Sequence, residues 1–179
     1  MVFWNEIVLG QIETVSSARD RMKFRYQNGP LRFQIPRGRT TWGVSQFKSM
    51  IVDLGHPDFA QWWANLETHL CPQEPFKSNM GPGPSLRLKI DEGAYIFDEN
   101  SKQICPDIRE GLFRGQDVTC IIDVDSTYFF NGNWGLTVRV YQLKTSGPIC
   151  AESPDEPSVG APPAGGLTPG VCAFLPADD

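Results

Sequence analysis

Acid pairs, histidines and thiols are the side chains here that could make or break bonds, and their spacing argues against that work. Asp91-Glu92, Asp98-Glu99 and Asp123 with Asp125 could hold Mg²⁺ in the manner of a nuclease. Each pair also reads as a solvated turn or an ion-pair partner. Asp123 and Asp125 stand two apart on an expected strand and so share a face, which makes them the best of the three. His56 and His69 flank or lie on an expected helix, far from any cysteine pair. The five cysteines, Cys71, Cys105, Cys120, Cys150 and Cys172, are odd in number, widely spaced and without a C-x-x-C. They read as reduced thiols of an intracellular protein rather than a zinc site or a disulfide framework. No phosphate-binding glycine loop, nucleophile elbow or H-E-x-x-H occurs. No catalytic residue, metal site or cofactor is expected, and the chain is not read as an enzyme.

A second chemistry repeats along the chain: cations alternating with apolar residues. Net charge is −5 over 179 residues, which by itself speaks against a polyanionic partner. The distribution reverses that. Arg19, Arg21, Lys23, Arg25, Arg32, Arg37, Arg39 and Lys48 are opposed between positions 14 and 52 only by Asp20. From position 145 onward there is no Lys or Arg, and Glu152, Asp155, Glu156, Asp178 and Asp179 are all acidic. A basic block and an acidic tail are more informative than the total. The pattern returns at Arg87 and Lys89 and again at Arg139, the last followed two residues on by Tyr141. Phosphates call for such a field, and unpaired bases call for aromatic platforms. Trp42 and Tyr141 are the first candidates for platforms, with Phe47, Tyr128 and Trp134 behind them. Tyr26 and Phe33 fall on apolar faces and are expected in the core.

The elements that must position these side chains are mostly strands. Residues 127–130 and 134–144 flank Asn131-Gly132-Asn133, a turn signal that pairs them as a hairpin. Trp134, Leu136, Val138 and Val140 then share one face, and Thr137, Arg139 and Tyr141 the other. Met22, Phe24 and Tyr26 oppose Arg21, Lys23 and Arg25; after Asn28-Gly29-Pro30, Leu31, Phe33 and Ile35 turn inward while Arg32 and Gln34 turn outward. Further strands are expected over 7–12, 44–52, 86–90, 94–97 and 117–124, with 36–39 breaking the chain and 104–113 irregular. The one helix is expected over 57–70, opened by Pro57 and stopped by Pro72. Its Phe59, Trp62, Trp63, Leu66 and Leu70 form a stripe that packs on the sheet.

With 40% hydrophobic and 11% aromatic residues, the chain can build a real core. Five to eight short strands and one inserted helix point to a mainly β fold, an OB-fold-like small antiparallel barrel, with a jelly roll or sandwich as alternatives. Residues 1–145 form that domain. Residues 146–179 hold seven prolines and five glycines and are expected to be a disordered tail. No run of about 18 apolar residues occurs, so no membrane partner is expected. The start, MVFWNEIVLG, lacks the pattern of a secretory signal.

Leu31-Arg32-Phe33-Gln34-Ile35-Pro36, Trp42-Gly43-Val44-Ser45, the run 85–90 and the run 134–144 (WGLTVRVYQLK) together resemble the single-stranded DNA-binding proteins of large eukaryotic DNA viruses, relatives of the podovirus replication proteins. The resemblance covers about residues 1–145. It implies an OB core, binding of single strands without sequence preference in replication or recombination, and an acidic tail that docks replication proteins. Phe174 with Asp178 and Asp179 would be that tail's contact residues, although five acids are few for the family. The expected binding residues are Arg21, Lys23, Arg25, Arg32, Arg37, Arg39, Trp42, Lys48, Arg87, Lys89, Arg139 and Tyr141. RNA as a ligand and a homodimer stay open. The implied location is intracellular, in a host nucleus or at a viral replication site. The alternative is a virion or scaffold β-protein whose basic face meets another protein.

Overall fold

The computed structural model describes residues 1–16, 21–147 and 172–175. Arg19, Asp178, Asp179 and most of the expected tail lie outside them. The strands, in chain order, are β1 (Glu13–Ser16), β2 (Met22–Tyr26), β3 (Gly29–Pro30), β4 (Arg32–Gln34), β5 (Gly38–Val44), β6 (Ser49–Asp53), β7 (Ser85–Lys89), β8 (Tyr95–Phe97), β9 (Gln103–Ile104), β10 (Asp117–Phe130) and β11 (Asn133–Thr145). The one α-helix among the described residues, α1 (Pro57–Leu70), lies between β6 and β7. The chain is mainly β with one inserted helix.

Five strands close into a ring. β5 pairs with β6, β6 with β7, β7 with β11, β11 with β10, and β10 returns to β5. All these pairs are antiparallel except β7–β11. In chain order around the ring this is 1-2-3-5-4, the small Greek-key barrel of the oligonucleotide-binding type. The remaining strands extend the sheet: β1 through β4 along β10, and β8 with β9 along β11.

Ring closure explains the burial. The inner positions of the barrel strands, among them Val52, Leu86, Leu88, Val118, Ile122, Val124, Leu136, Val138 and Val140, are all buried. Alternation along each strand therefore sends the charged residues out. The β10–β11 ribbon turns on two residues, Asn131 (φ 48°) and Gly132 (φ 77°), one fewer than the three-residue connection expected. Asn and Gly tolerate this left-handed region, and it matches the twist of the strands. Two irregularities sit in the ribbon. Asp125 is an extra residue in β10, and Tyr141 an extra residue in β11.

α1 is capped by His56, whose Nδ1 accepts a bond from the Phe59 amide at 3.1 Å. Phe59, Trp63, Leu66 and Leu70 bury its apolar stripe, each large side chain contributing about 2–3 kcal/mol. Trp62 packs against Trp4, Phe33 and Phe59 at centroid distances of 5.4, 5.3 and 5.8 Å, so both helix tryptophans serve packing. Buried Glu67 accepts bonds from Ser78 Oγ at 2.6 Å and the Asn79 amide at 2.8 Å, which ties the Pro- and Gly-rich loop after the helix to the helix itself.

Four expectations change. Residues 7–12 form no strand. Short 3-10 turns at Trp4–Glu6 and Leu9–Gln11 precede β1, and the segment meets the sheet through a bridge of Phe3 to Gln34 and through the Tyr26 hydroxyl, which accepts from the Val8 amide and donates to the Glu6 carbonyl. The break expected over 36–39 ends at Arg37, and residues 38–44 are a strand, because Gly38 and Arg39 pair with β10 while Thr40 and Val44 pair with β6. Eleven strands among the described residues replace five to eight, since β3, β4 and β9 are pieces of two or three residues with little periodic signal. Gln34 is buried rather than outward to solvent. Its side chain exchanges two hydrogen bonds with the Leu175 backbone, at 2.9 and 3.3 Å.

The last stretch of β5 is held from outside the ring. The Val44 amide donates to the Leu112 carbonyl and the Gly111 amide to the Val44 carbonyl, at 2.8 Å each, and the Gly115 amide donates to the Thr40 carbonyl at 2.7 Å. Gly43 lies under this segment at φ 71°, and a Cβ there would meet the Leu112 carbonyl and the Arg114 amide. We expect Gly43→Ala to cost about 2–4 kcal/mol, through strain and displacement of residues 111–115. Urea unfolding of the variant against the parent protein measures it, and a loss under about 1 kcal/mol would show that the segment yields freely.

Candidate functional site

Register places the cations. Lys89 on β7 faces Arg139 on β11, and across β7 it faces Ser49 on β6. Arg139 faces Asp123 on β10, and Asp123 faces Arg32 on β4. Ser49, Lys89, Arg139, Asp123 and Arg32 therefore form one row over five adjacent strands, about 19 Å long at the usual strand spacing. Beside the row, Arg87 opposes Ile51, and Lys23 opposes Ser126, which in turn opposes Thr137. Directly opposed residues share a face, so the strands bring Lys23, Arg32, Lys89 and Arg139 onto one outer surface.

The cations differ in what already holds them. Arg139 Nη1 lies 3.2 Å from Asp91, Arg37 3.0 Å and Arg39 3.9 Å from the shared Asp117. Lys48 Nζ donates to the Ile108 carbonyl and stands 4.0 Å from Glu92. Arg32 grips Asp123 with both arms, Nε to Oδ1 at 2.6 Å and Nη2 to Oδ2 at 2.8 Å. Burial works to lower the pKa of Arg32, but Asp123, with help from Tyr141, outweighs it and holds the value raised. Arg21, Lys23, Arg25, Arg87 and Lys89 have no carboxylate partner among the described residues.

The aromatic residues divide equally sharply. Trp42 is 70% and Phe47 77% exposed. Phe47 is in the turn between β5 and β6. Trp42 owes its position to a bulge, where Thr41, Trp42 and Gly43 together face the single residue Ile51, and the Arg114 guanidinium lies 5.8 Å from its ring. Tyr141 is different from what its outward position suggests. The Arg32 guanidinium covers one face of its ring at 3.2 Å from the centroid, and Tyr95 meets it edge-on at 5.5 Å. Trp134 packs on Phe129 at 5.2 Å, and Tyr128 lies over Gly135. Sequence reasoning passed over three residues: Arg114, in a stretch without periodicity, and Phe129 and Phe130, 60% and 68% exposed at the ribbon tip. Two adjacent phenylalanines before a turn were the available signal, since strand alternation can bury only one of them.

The chemistry of bond-making finds no constellation here. Among the described residues no three His, Cys, Asp or Glu side chains converge on a metal-binding geometry, and Asp123 is occupied by Arg32. Burial pushes the thiols of Cys71 and Cys120 up, away from the nucleophilic thiolate form. No described helix is long and apolar enough to cross a membrane. Phe174 does not stand clear of the barrel. Its ring meets Phe97 edge-on at 6.0 Å, and the neighbouring Ala173 amide bonds to Gln142 at 3.1 Å.

No protein-family profile matches the chain, and no curated protein matches it significantly. Among solved structures it is similar to the C-terminally truncated single-stranded DNA-binding protein of bacteriophage Enc34, at 6% identity and a TM-score of 0.47, over 84% of this chain and 100% of that one. It is also similar to gp2.5, a single-stranded DNA binding protein encoded by bacteriophage T7, at 11% identity and a TM-score of 0.39, over 73% and 98% of the two chains. Likeness this distant is no argument for function. Both are phage proteins, and the eukaryotic-virus branch named by the sequence resemblance draws no support from them.

Of the five tryptophans, Trp42 is open to solvent and the other four are buried or half-buried. Trp42→Ala is expected to change stability by no more than about 0.5 kcal/mol while removing most of the acrylamide-quenchable fluorescence. Urea melts and quenching curves of the two proteins check both halves.

Proposed function

We propose that this chain binds single-stranded nucleic acid, DNA in the first place, without sequence specificity. The observation that carries the reading is the cationic row across the outer face, with Lys89 and Arg139 at its centre and Lys23 and Arg87 beside it, these two and Lys89 without an ion-pair partner among the described residues. Such a row tracks a phosphate backbone and reads no base edge. Barrels of this topology take oligonucleotides on their second and third strands and on the first and last turns. In this chain those are β6 and β7, the turn carrying Phe47, and the turn after Phe129 and Phe130. Exposed rings there suit unpaired bases, which offer a π-face whatever their identity.

Coating of exposed strands during replication or recombination is the role we assign to this binding, at an intracellular site. Residues 1–145 would form the binding domain and residues 146–179 a tail that meets replication proteins, with Asp178 and Asp179 its acidic end. Arg37, Arg39, Lys48 and Arg139, already satisfied by Asp117, Glu92, the Ile108 carbonyl and Asp91, would contribute less than Lys23, Arg87 and Lys89.

The test is fluorescence anisotropy with labelled oligo-dT of about 30 nucleotides, duplex of equal length and oligo-U, from low to high salt. We expect tight binding to dT, weak binding to duplex and a steep loss with salt. Lys89→Ala should weaken dT binding and flatten the log–log salt slope by about 0.7 for the lost phosphate contact. Absence of dT binding at low salt, both for the full chain and after removal of residues 148–171, overturns the reading in favour of a protein-binding face.

A further inference from the structure

We propose that the outer face takes a base on Arg32 rather than on Tyr141, using a guanidinium plane stacked on the Tyr141 ring and locked by Asp123. This deepens the single-strand reading above and rests on it. Tyr141 cannot receive a base on the side where Arg32 lies 3.2 Å from its centroid. What covers that side instead is the Arg32 guanidinium, and the Arg32 side chain keeps 26% of its area exposed.

Three features make Arg32 a platform and a poor phosphate contact. Asp123 takes both arms of the fork, at 2.6 and 2.8 Å; two parallel bonds fix the plane as well as the position. The same carboxylate neutralises the charge, so Arg32 adds little to the field that draws phosphates, unlike Lys89 on the same row. Tyr141 backs the plane, and Tyr95 holds that ring edge-on at 5.5 Å and 74°. A rigid, weakly hydrated, flat cation is a surface on which unpaired bases stack. Arg139 is two residues before Tyr141 in β11 and opposes Asp123, so a phosphate contact and a base contact would be neighbours. Asp123 and Tyr141 are positioning residues in this scheme, acting through Arg32.

Arg32→Lys separates the roles, because lysine keeps the charge and loses the plane. Anisotropy is measured on a dT strand of about 30 nucleotides and on an abasic sugar–phosphate strand of the same length. For Arg32→Lys we expect dT binding to weaken about 5- to 10-fold, with abasic binding within twofold and the salt slope unchanged. Asp123→Asn, which frees the plane and adds net positive charge, should tighten abasic binding while lowering the preference for dT over the abasic strand. Equal loss on both strands in Arg32→Lys, or an unchanged dT preference in both variants, overturns the platform. A parent protein that binds the two strands equally overturns it too, while leaving electrostatic binding intact. A parent protein that binds neither strand overturns the underlying reading instead.

Discussion

Everything on the outer face depends on one long paired ribbon. β10 and β11, 14 and 13 residues long, bond to each other along their length and supply the partners for β2, β4, β5, β7 and β8. The ring joints they make with β5 and β7 are short, two register pairs and one. Closure is therefore completed by other means: the backbone bonds of residues 111–115 on β5, and a continuous apolar interior. An open ribbon of this length would leave both faces wet. Once closed, the inner face has to be apolar, and alternation leaves the outer face for charge.

Charge on that face comes in two kinds, and the difference is functional. Arg32, Arg37, Arg39 and Arg139 have carboxylates within 4 Å, whereas Lys23, Arg25, Arg87 and Lys89 have none among the described residues. Ion pairs at exposed positions contribute little to stability, about 0–1 kcal/mol. They do orient the side chain and remove its charge from the long-range field. The same row can thus hold rigid, neutralised groups beside free cations, a mixture suited to a partner with flat bases and a charged backbone. One of the two irregularities in the ribbon serves this arrangement, because the extra residue in β11 is Tyr141, the ring beneath Arg32.

Much of this was legible in the order of residues. The helix runs over 57–70 as its Pro57 and its 3-4 stripe require, and the cation-and-apolar alternation of 22–26, 85–89 and 134–140 follows the observed burial. The misses share a cause. Residues 36–39 read as a break, yet pairing on both edges draws Gly38 and Arg39 into the strand 38–44. Gln34 reads as a solvent-facing polar residue, but a segment 141 positions further along covers it. Tyr141 reads as an open ring because nothing in its neighbourhood along the chain reveals Arg32, which comes from another strand.

What the amino-acid order determined by itself is local: which residues lie on the same side of a strand or helix, where turns fall, and that basic residues crowd the first third while acids end the chain. These follow from the backbone periods of 2 and 3.6 and from the φ preferences of Gly, Pro and Asn. Which strands become neighbours was decided only by tertiary structure, because closing the barrel aligns residues as distant as Arg32, Lys89, Asp123 and Arg139. Partner choice came with that alignment. It determined which cations met an acid, which rings were covered, and which, like Trp42 and Phe130, were left facing solvent. Ion pairing and stacking act through space over a few ångströms, and sequence separation carries almost no information about that distance.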